Sequence, residues 1–155
     1  MNSQYINRMD NAKLLTLVEE RITKAFPKFL DLTETDKLYV MEAIKSRIDL
    51  LTEAESIVEF FFKKFELDDE AKEIKDTQDY DIVLDTLISE LKNIEEVGVK
   101  NYKELLKTIQ EKSQRSGKAL FMSLRVAVTG SVHGPDLKFI FAVLGKEGIL
   151  KRLEK

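Results

Sequence analysis

The 155-residue sequence has no cysteine, one histidine and two prolines. Without cysteine, disulfides, thiolate catalysis and cysteine-ligated zinc are excluded, and a single histidine offers little for a metal or proton-transfer centre. No apolar run approaches the roughly 20 residues needed to cross a bilayer, and the first ten residues do not resemble a signal peptide. We therefore expect a cytoplasmic protein without a metal site.

Charge is distributed unevenly along the chain. The formal net charge is −3, but residues 100–155 carry twelve Lys and Arg against five Asp and Glu, a balance of +7 that leaves −10 for residues 1–99. A basic end on an acidic chain predicts a polyanionic partner for that end. A basic terminal third is also a common way for a protein to stay soluble, so charge alone leaves both interpretations open.

Apolar residues recur at helical spacing through most of the sequence. Asp10 is suited to cap the first helix and Phe26-Pro27 to end it. The apolar face predicted for this helix consists of Leu14, Leu17, Val18, Ile22 and Ala25. The next helix repeats the pattern through Leu38, Met41, Ile44 and Ile48.

Further helix signals follow along the chain. A capping box over residues 52–55 precedes an apolar helix. The aromatic side chains that we assign to the core there are Phe60, Phe61, Phe62 and Phe65. Residues 66–81 predict a short helix and a linker, and two amphipathic helices follow over residues 80–94 and 101–114. Gly117 can supply the left-handed cap of the second of these.

Evidence for strands is poor, because apolar and polar residues do not alternate and no Asn-Gly or Asp-Gly hairpin turn occurs. The sequence therefore predicts an all-α fold of two consecutive small helical bundles. We place them at residues 1–70 and 71–155, with the division falling within residues 67–79.

Residues 119–137 combine an apolar run with two closely spaced breaks. The run predicts a buried helix packed on both sides. Gly130 can end this helix with a positive φ, Pro135 suits the first turn of the next helix, and Gly134 leaves the backbone uncovered. We expect a tight corner whose helix N-terminus offers free N–H donors and which can approach another molecule closely.

Arg125 is a charge within this apolar run. No carboxylate lies three or four residues from it in its own helix, where the neighbours are Phe121, Met122, Val128 and Thr129. A distant acid or a backbone carbonyl pairs with it, or its guanidinium lies at the rim and is available to a ligand. For an arginine in this setting the structural role is the commoner one. Arg47 shares this lack of a local partner.

Several motifs resemble a known family. The chain contains LFMSLRVAVTGSVHGPDL at residues 120–137 and FAVLGKEGILKRL at residues 141–153. These segments resemble the C-terminal anticodon-binding region of bacterial-type glutamyl-tRNA synthetase. The likeness extends to MNSQYI at residues 1–6 and to KSRIDLLTEAESIVEFFF at residues 45–62, and it covers essentially the whole chain.

The resemblance implies the anticodon-recognition part of a glutamate–tRNA ligase, with residues 1–70 and 71–155 as its two anticodon-binding subdomains. The ATP-binding motifs of that class I synthetase, His-Ile-Gly-His and Lys-Met-Ser-Lys-Ser, are absent from the sequence. We therefore expect a fragment that catalyses nothing, with ATP and Mg²⁺ as cofactors of the parent enzyme only. The expected partner is a glutamate-accepting tRNA, a glutamine-accepting tRNA is left open, and neither DNA nor a membrane is expected to bind.

The resemblance also implies roles for individual residues. Arg125 matches the position that engages the first anticodon base, and Arg47 matches the position that reads the third. The corner residues that line the same place as Arg125 are Gly134, Pro135, Leu137 and Lys138. Lysines expected to neutralise phosphates without reading sequence are Lys112, Lys118 and Lys146. Arginine suits base recognition because its planar fork pairs with base edges and stacks on base faces.

Two positions depart from the family pattern. Ser123 stands where the family usually has proline, and we expect its side chain to cap the start of the helix. Leu51 replaces a frequent threonine. His133, beside the turn, is expected to hold the loop by local hydrogen bonds.

Three other functions agree with parts of the sequence to different degrees. Without the resemblance, a helical adaptor that binds another protein through an amphipathic groove fits the periodicity and the charge distribution equally well. A synthetase domain for glutamine or cysteine tRNA is a second alternative, although the bacterial glutaminyl enzyme reads its anticodon with β-barrels, which an all-α fold disfavours. A catalytic fragment is the weakest, because one histidine and scattered carboxylates form no acid–base or metal cluster.

Overall fold

The computed structural model of the chain describes residues 8–45, 47, 48 and 50–153. All regular secondary structure within these residues is helical, as the periodicity predicts. The chain divides into two units between Lys63 and Lys64, a few residues before the boundary expected after residue 70. None of the described helices is both long enough and apolar enough to span a membrane.

In its described residues the first unit contains three α-helices and two short 3-10 helices. In chain order these are α1 (Asn11–Ala25), a 3-10 helix (Pro27–Asp31), α2 (Glu34–Lys45), a second 3-10 helix (Leu51–Glu53) and α3 (Ala54–Phe62). Asp10 caps α1 as predicted, its carboxylate accepting a hydrogen bond from the Lys13 N–H at 3.0 Å. Phe26 ends α1 and Pro27 opens the next element, which confirms the predicted stop.

Fewer residues of α1 are buried in the core of the first unit than its apolar spacing predicts. Leu14, Val18 and Ile22 are buried, but Leu17 and Ala25 are exposed, so the prediction was wrong for these two. The reason is that α1 packs on α2 and α3, which cover only one stripe of its surface. That stripe takes in Leu15 instead.

The end of α3 carries the aromatic cluster that the sequence assigns to the core. Phe61 is buried, whereas the ring of Phe62 is half-buried and stacks on Phe26 with 5.4 Å between ring centroids. The predicted capping box is displaced, because the carboxylate of Glu53 accepts its hydrogen bond from the N–H of Leu50 at 2.7 Å. This closes the turn before α3, which begins at Ala54.

The second unit contains five α-helices in its described residues. They are α4 (Asp69–Lys75), α5 (Gln78–Asn93), α6 (Val99–Ser113), α7 (Gly117–Thr129) and α8 (Leu137–Leu153). Side-chain caps begin two of them: Asp68 accepts from the Ala71 N–H at 2.8 Å, and Thr77 accepts from the Tyr80 N–H at 3.1 Å. α7 contacts α4, α5 and α8, so it lies at the centre of this unit.

Two details at the start of α7 differ from the sequence prediction. Gly117 does have a left-handed φ of 57°, but it begins α7, and the left-handed cap of α6 is Gln114. Ser123 is buried in the middle of α7 and therefore cannot cap its start. Both errors arise because the helix extends further toward its N-terminus than the apolar run alone suggests.

The end of α7 is fixed by groups from several parts of the second unit. The N–H of Gly130 donates to the Val126 carbonyl at 2.9 Å, and the N–H of Phe65 donates to the Thr129 carbonyl at 2.8 Å. Nη1 of Arg152 donates to the Val128 carbonyl at 3.1 Å, and burial lowers the pKa of Arg152 to about 10. Three carbonyls at this helix end, Val126, Val128 and Thr129, therefore have donors.

Glycine is required at position 130 for two reasons. Its φ is 80°, which ends α7 in the left-handed conformation that the sequence predicts. In addition, a Cβ at this position would lie 2.0 Å from the Phe65 carbonyl oxygen, a distance that no packing tolerates. The Thr129-Gly130 break thus serves the contact with residue 65 as well as the turn.

α8 is bent at Gly145, where φ is 69° and ψ is 176°. Directly after the bend, Nζ of Lys146 donates to the Ile94 carbonyl, which follows the end of α5, at 2.8 Å. The two parts of α8 therefore run in different directions, and its last turn carries Arg152 to the end of α7.

We expect Gly130→Ala to lower the free energy of unfolding of the second unit by at least about 2 kcal/mol, because strain at positive φ adds to a backbone clash. Urea denaturation measures this loss. Gly117→Ala is the matched control, since Gly117 has a similar φ but open space around its Cβ position, and it should lose about 1 kcal/mol. Equal losses in the two variants would show that the Phe65 contact contributes nothing.

Candidate nucleic-acid interface

A tight corner joins α7 to α8 through residues 130–136. The hydroxyl of Thr129 donates to the Arg125 carbonyl at 2.7 Å and accepts from the Ser131 N–H at 3.1 Å. The hydroxyl of Ser131 in turn accepts from the N–H of His133 at 3.1 Å. These short-range hydrogen bonds fix the turn. His133 takes part through its backbone, while the residue itself is exposed.

Arg125 is anchored at this corner. Its Nη1 donates to the Pro135 carbonyl at 2.9 Å, and the residue is half-buried. A backbone carbonyl, one of the partners considered from the sequence, is therefore among its partners. The bond ties the middle of α7 to the loop ten residues later and holds the guanidinium in one place.

The other residues that the resemblance assigns to this corner lie next to Pro135 in the chain. Gly134, Pro135 and Leu137 are buried, so the expectation that Gly134 leaves the backbone uncovered was wrong. The φ of Gly134 is 139°, which favours glycine. Lys138 is half-buried, with its Nζ 4.9 Å from the centroid of the Phe139 ring. The structure thus brings together Arg125, Gly134, Pro135, Leu137 and Lys138, all of which the resemblance assigns to one place.

Tyr102 of α6 packs against α8, close to the corner. Its buried ring meets the ring of Phe141 of α8 edge-on, with 5.4 Å between centroids. Burial, followed by the negative charge of Asp136, raises the pKa of the Tyr102 hydroxyl, and the positive charge of Arg125 opposes that shift. The phenol ring therefore lies near both charged groups of the corner.

The start of α8 is less open than the sequence suggests. The carboxylate of Asp136 accepts from the Lys138 N–H at 2.9 Å, and its carbonyl accepts from the Phe139 N–H at 3.2 Å. The expectation of free N–H donors at this helix end was therefore wrong for these two groups. Pro135 precedes the helix by two residues and does not occupy its first turn.

The three candidate phosphate-contact lysines have different surroundings. Lys112 forms an ion pair with the buried carboxylate of Glu90, and Lys146 donates to the Ile94 carbonyl. Lys118 is exposed on α7. Arg47, in the first unit, is also exposed.

One residue near Arg125 escaped the sequence analysis. Phe121 lies one helical turn before Arg125 and is 40% exposed, which contradicts the expectation that this helix is covered on both sides. Lys118, Phe121 and Arg125 are spaced by three and four residues and so share one face of α7. We call these three residues the α7 stripe. The spacing was the available signal, but every apolar residue of the run was assigned to the core.

No group of three or more histidine or carboxylate side chains among the described residues is placed to hold a metal ion. The side chains of the corner and of the α7 stripe include the arginine fork of Arg125, the ammonium groups of Lys118 and Lys138, and the aromatic ring of Phe121. These are groups suited to anions and to planar rings.

Comparison of the chain with known proteins identifies the family to which it belongs. The family described as "Anticodon binding domain" matches residues 7–155. The chain belongs to this family. Two curated relatives of this anticodon-binding domain are glutamate–tRNA ligases. The one from Finegoldia magna is 33% identical over 155 residues, and the one from Bacillus cytotoxicus is 34% identical over 159 residues. The alignments cover all of this chain but 32% and 33% of the relatives, so the domain spans about a third of their length.

A solved structure has the same fold as this anticodon-binding domain. A glutamate tRNA ligase from Elizabethkingia meningosepticum aligns with a TM-score of 0.81 over 98% of this chain and 30% of its own. The sequence identity is 19%, so the likeness concerns the fold. It agrees with the all-α architecture predicted from the sequence.

The surroundings of the lysines of this anticodon-binding domain lead to a stability prediction. Lys112→Met should lower the free energy of unfolding by about 1–3 kcal/mol, because it leaves the buried carboxylate of Glu90 without its partner. Urea denaturation measures the change. Lys118→Met removes an exposed lysine and should change stability by less than about 0.5 kcal/mol. If both variants are as stable as the wild type, the Lys112–Glu90 pair does not support the fold.

Proposed function

We propose that this domain binds the anticodon loop of a glutamate-accepting tRNA as the anticodon-reading part of a glutamate–tRNA ligase. The observation that carries this proposal is the family match over residues 7–155 together with glutamate–tRNA ligase relatives aligned along the whole chain. The hydrogen bond that anchors Arg125 to the Pro135 carbonyl supports the choice of this arginine as the candidate base reader. The remaining two thirds of such an enzyme would use ATP and Mg²⁺ in the cytoplasm.

Arg125 is the residue we propose to read the first anticodon base. Bases of an RNA loop can be splayed out, so that their edges become accessible to side chains. The bond to the Pro135 carbonyl orders the guanidinium before RNA arrives, so less conformational entropy is lost when a base binds. Lys138 would line the surface beside that base, and Gly134, Pro135 and Leu137, which are buried, would fix the shape of the loop beneath it.

Arg47 is the residue we propose to read the third anticodon base. It lies after α2 in the first unit and its exposure leaves the residue accessible. Its role rests on the position that it occupies in the family pattern. The nearest carboxylate before Arg47 in the sequence is Glu42, five residues away, so no preceding residue has the spacing of a helical ion pair.

Among the lysines, we propose that Lys118 contributes most to phosphate binding. Lys112 and Lys146 already have protein partners, and binding a phosphate would require them to exchange those partners. Lys118 is exposed and shares a face with Arg125. Contacts of this kind add affinity that falls with salt concentration but do not select a sequence.

Two alternatives from the sequence have less support. A protein-binding adaptor fits the helices and the charge distribution, but it does not explain a family match along nearly the whole chain. A glutamine-accepting tRNA would use the same domain in a less discriminating enzyme. Comparing stem-loops that carry the glutamate and the glutamine anticodons distinguishes these substrates.

We expect Arg125→Ala to raise the Kd for a glutamate anticodon stem-loop by about 5- to 150-fold, because one base-specific contact contributes about 1–3 kcal/mol. Fluorescence anisotropy with a labelled stem-loop measures the change. The variant should also discriminate less between stem-loops that differ in the first anticodon base.

Arg21→Ala is the control for net charge, since Arg21 is an exposed arginine of α1 whose ion-pair partner, Glu55, also lies in the first unit, and it should change the Kd by less than about twofold. Circular dichroism checks that Arg125→Ala retains its helices. Binding that Arg125→Ala weakens equally for every first base would indicate that this arginine contacts phosphate and does not read the base.

We expect Arg47→Gln to relax the preference at the third anticodon base, because the substitution removes the arginine fork while keeping a polar side chain. Anisotropy titrations with the four stem-loops that differ at that base measure the ratio of Kd values. A uniform loss of affinity with an unchanged ratio would assign Arg47 a role at the phosphate backbone.

A further inference from the structure

Phe121 is an unusual residue for the centre of a packed unit. The neighbouring positions Leu120 and Leu124 of α7 have no exposed surface, yet Phe121 is 40% exposed. The other large apolar side chains with comparable exposure in the described part of the chain are Leu17, Leu30 and Leu50. Phe121 is the aromatic member of this group, and it presents a ring to solvent beside the corner.

The α7 stripe places a positive charge on each side of this ring. Lys118 lies three residues before Phe121 and Arg125 lies four residues after it, and residues so spaced have Cβ atoms about 5–6 Å apart on one helix face. α7 contains no acidic residue. The ring is therefore flanked by cations along the helix, and Arg125 is held in place by the Pro135 carbonyl.

We propose that Phe121 is a stacking platform for an unpaired nucleobase of the bound RNA loop. The inference rests on the proposed anticodon-binding function and adds a contact to it. Aromatic side chains bind splayed bases through the base face, which every base offers, while nearby cations bind the phosphates on either side. Phe121 thus supplies affinity for a loop nucleotide without selecting its identity, and Arg125 supplies the selection.

The charges on the stripe favour a nucleobase over an apolar helix of a partner protein. A helix that docks through its apolar face needs a contiguous row of apolar residues on the surface. The residues before and after Phe121 on this face are Lys118 and Arg125, so an apolar row is interrupted on both sides. A single ring between two cations fits one planar group attached to a phosphate backbone.

The absence of tryptophan from the sequence allows a direct test. F121W introduces the sole indole of the chain at the proposed platform, and stacking with a base should quench its fluorescence as the glutamate anticodon stem-loop is added. L17W is the matched control, because Leu17 is an exposed apolar residue of the first unit, and its fluorescence should not change. Equal responses of the two variants would overturn the proposal.

Affinity measurements separate stacking from apolar contact. We expect F121L to raise the Kd for the stem-loop by about 5- to 150-fold and F121Y to change it by less than about twofold, because only F121Y keeps an aromatic face. F121L should retain wild-type stability in urea, since the position is exposed. Unchanged affinity in F121L would overturn the platform.

The same experiments distinguish this inference from the function on which it rests. If the wild-type domain binds the stem-loop and Arg125→Ala weakens that binding while F121L does not, the anticodon-binding proposal stands and the platform fails. If the wild-type domain shows no binding that depends on the anticodon loop, the proposed function itself fails.

Discussion

The second unit depends on the way in which α7 ends. A backbone atom of residue 65 approaches Gly130 so closely that no side chain fits between them, and the carbonyls there accept hydrogen bonds from Phe65 and Arg152. Phe65 lies at the beginning of the second unit and Arg152 near its end, so the C-terminal end of α7 connects these two parts of the unit. α7 also contacts α4, α5 and α8. Its position is therefore fixed along its length and at its terminus.

α7, fixed in this way, carries the side chains of Lys118, Phe121 and Arg125, which form the α7 stripe. Arg125 spans the corner to Pro135, so one guanidinium both stabilises the turn and lies where a ligand is proposed to bind. The two roles do not exclude each other, since a base reader gains from being held in a fixed orientation. Tyr102 and Phe141 support the corner from inside the unit. The folding of the core and the geometry of the candidate interface thus depend on the same contacts.

Local signals in the sequence predicted most of the helices. Asp10, Phe26-Pro27 and Gly130 act through their own backbone or side chain, so their effects could be foreseen without tertiary information. For Arg125 the sequence left a distant acid and a backbone carbonyl open, because only the fold brings the Pro135 carbonyl within reach of the guanidinium. Leu17 and Phe121 were placed in the core for a related reason. Periodicity identifies an apolar face, but the neighbouring helices decide how much of it they cover. The motif placed five corner residues together, while the partners of Lys112 and Lys146 depended on tertiary packing.

The bend at Gly145 has a mechanical consequence for the corner. The first part of α8 starts at the loop that holds Pro135, and the part after the bend brings Arg152 back to the terminus of α7. The two parts of α8 therefore contact both ends of the same loop: the first part follows its last residue, and the second part binds the end of α7, where the loop begins. A substitution in the last turn of α8, for example at Arg152, can therefore change the geometry of the loop and of the surface around Arg125 without altering any residue on that surface.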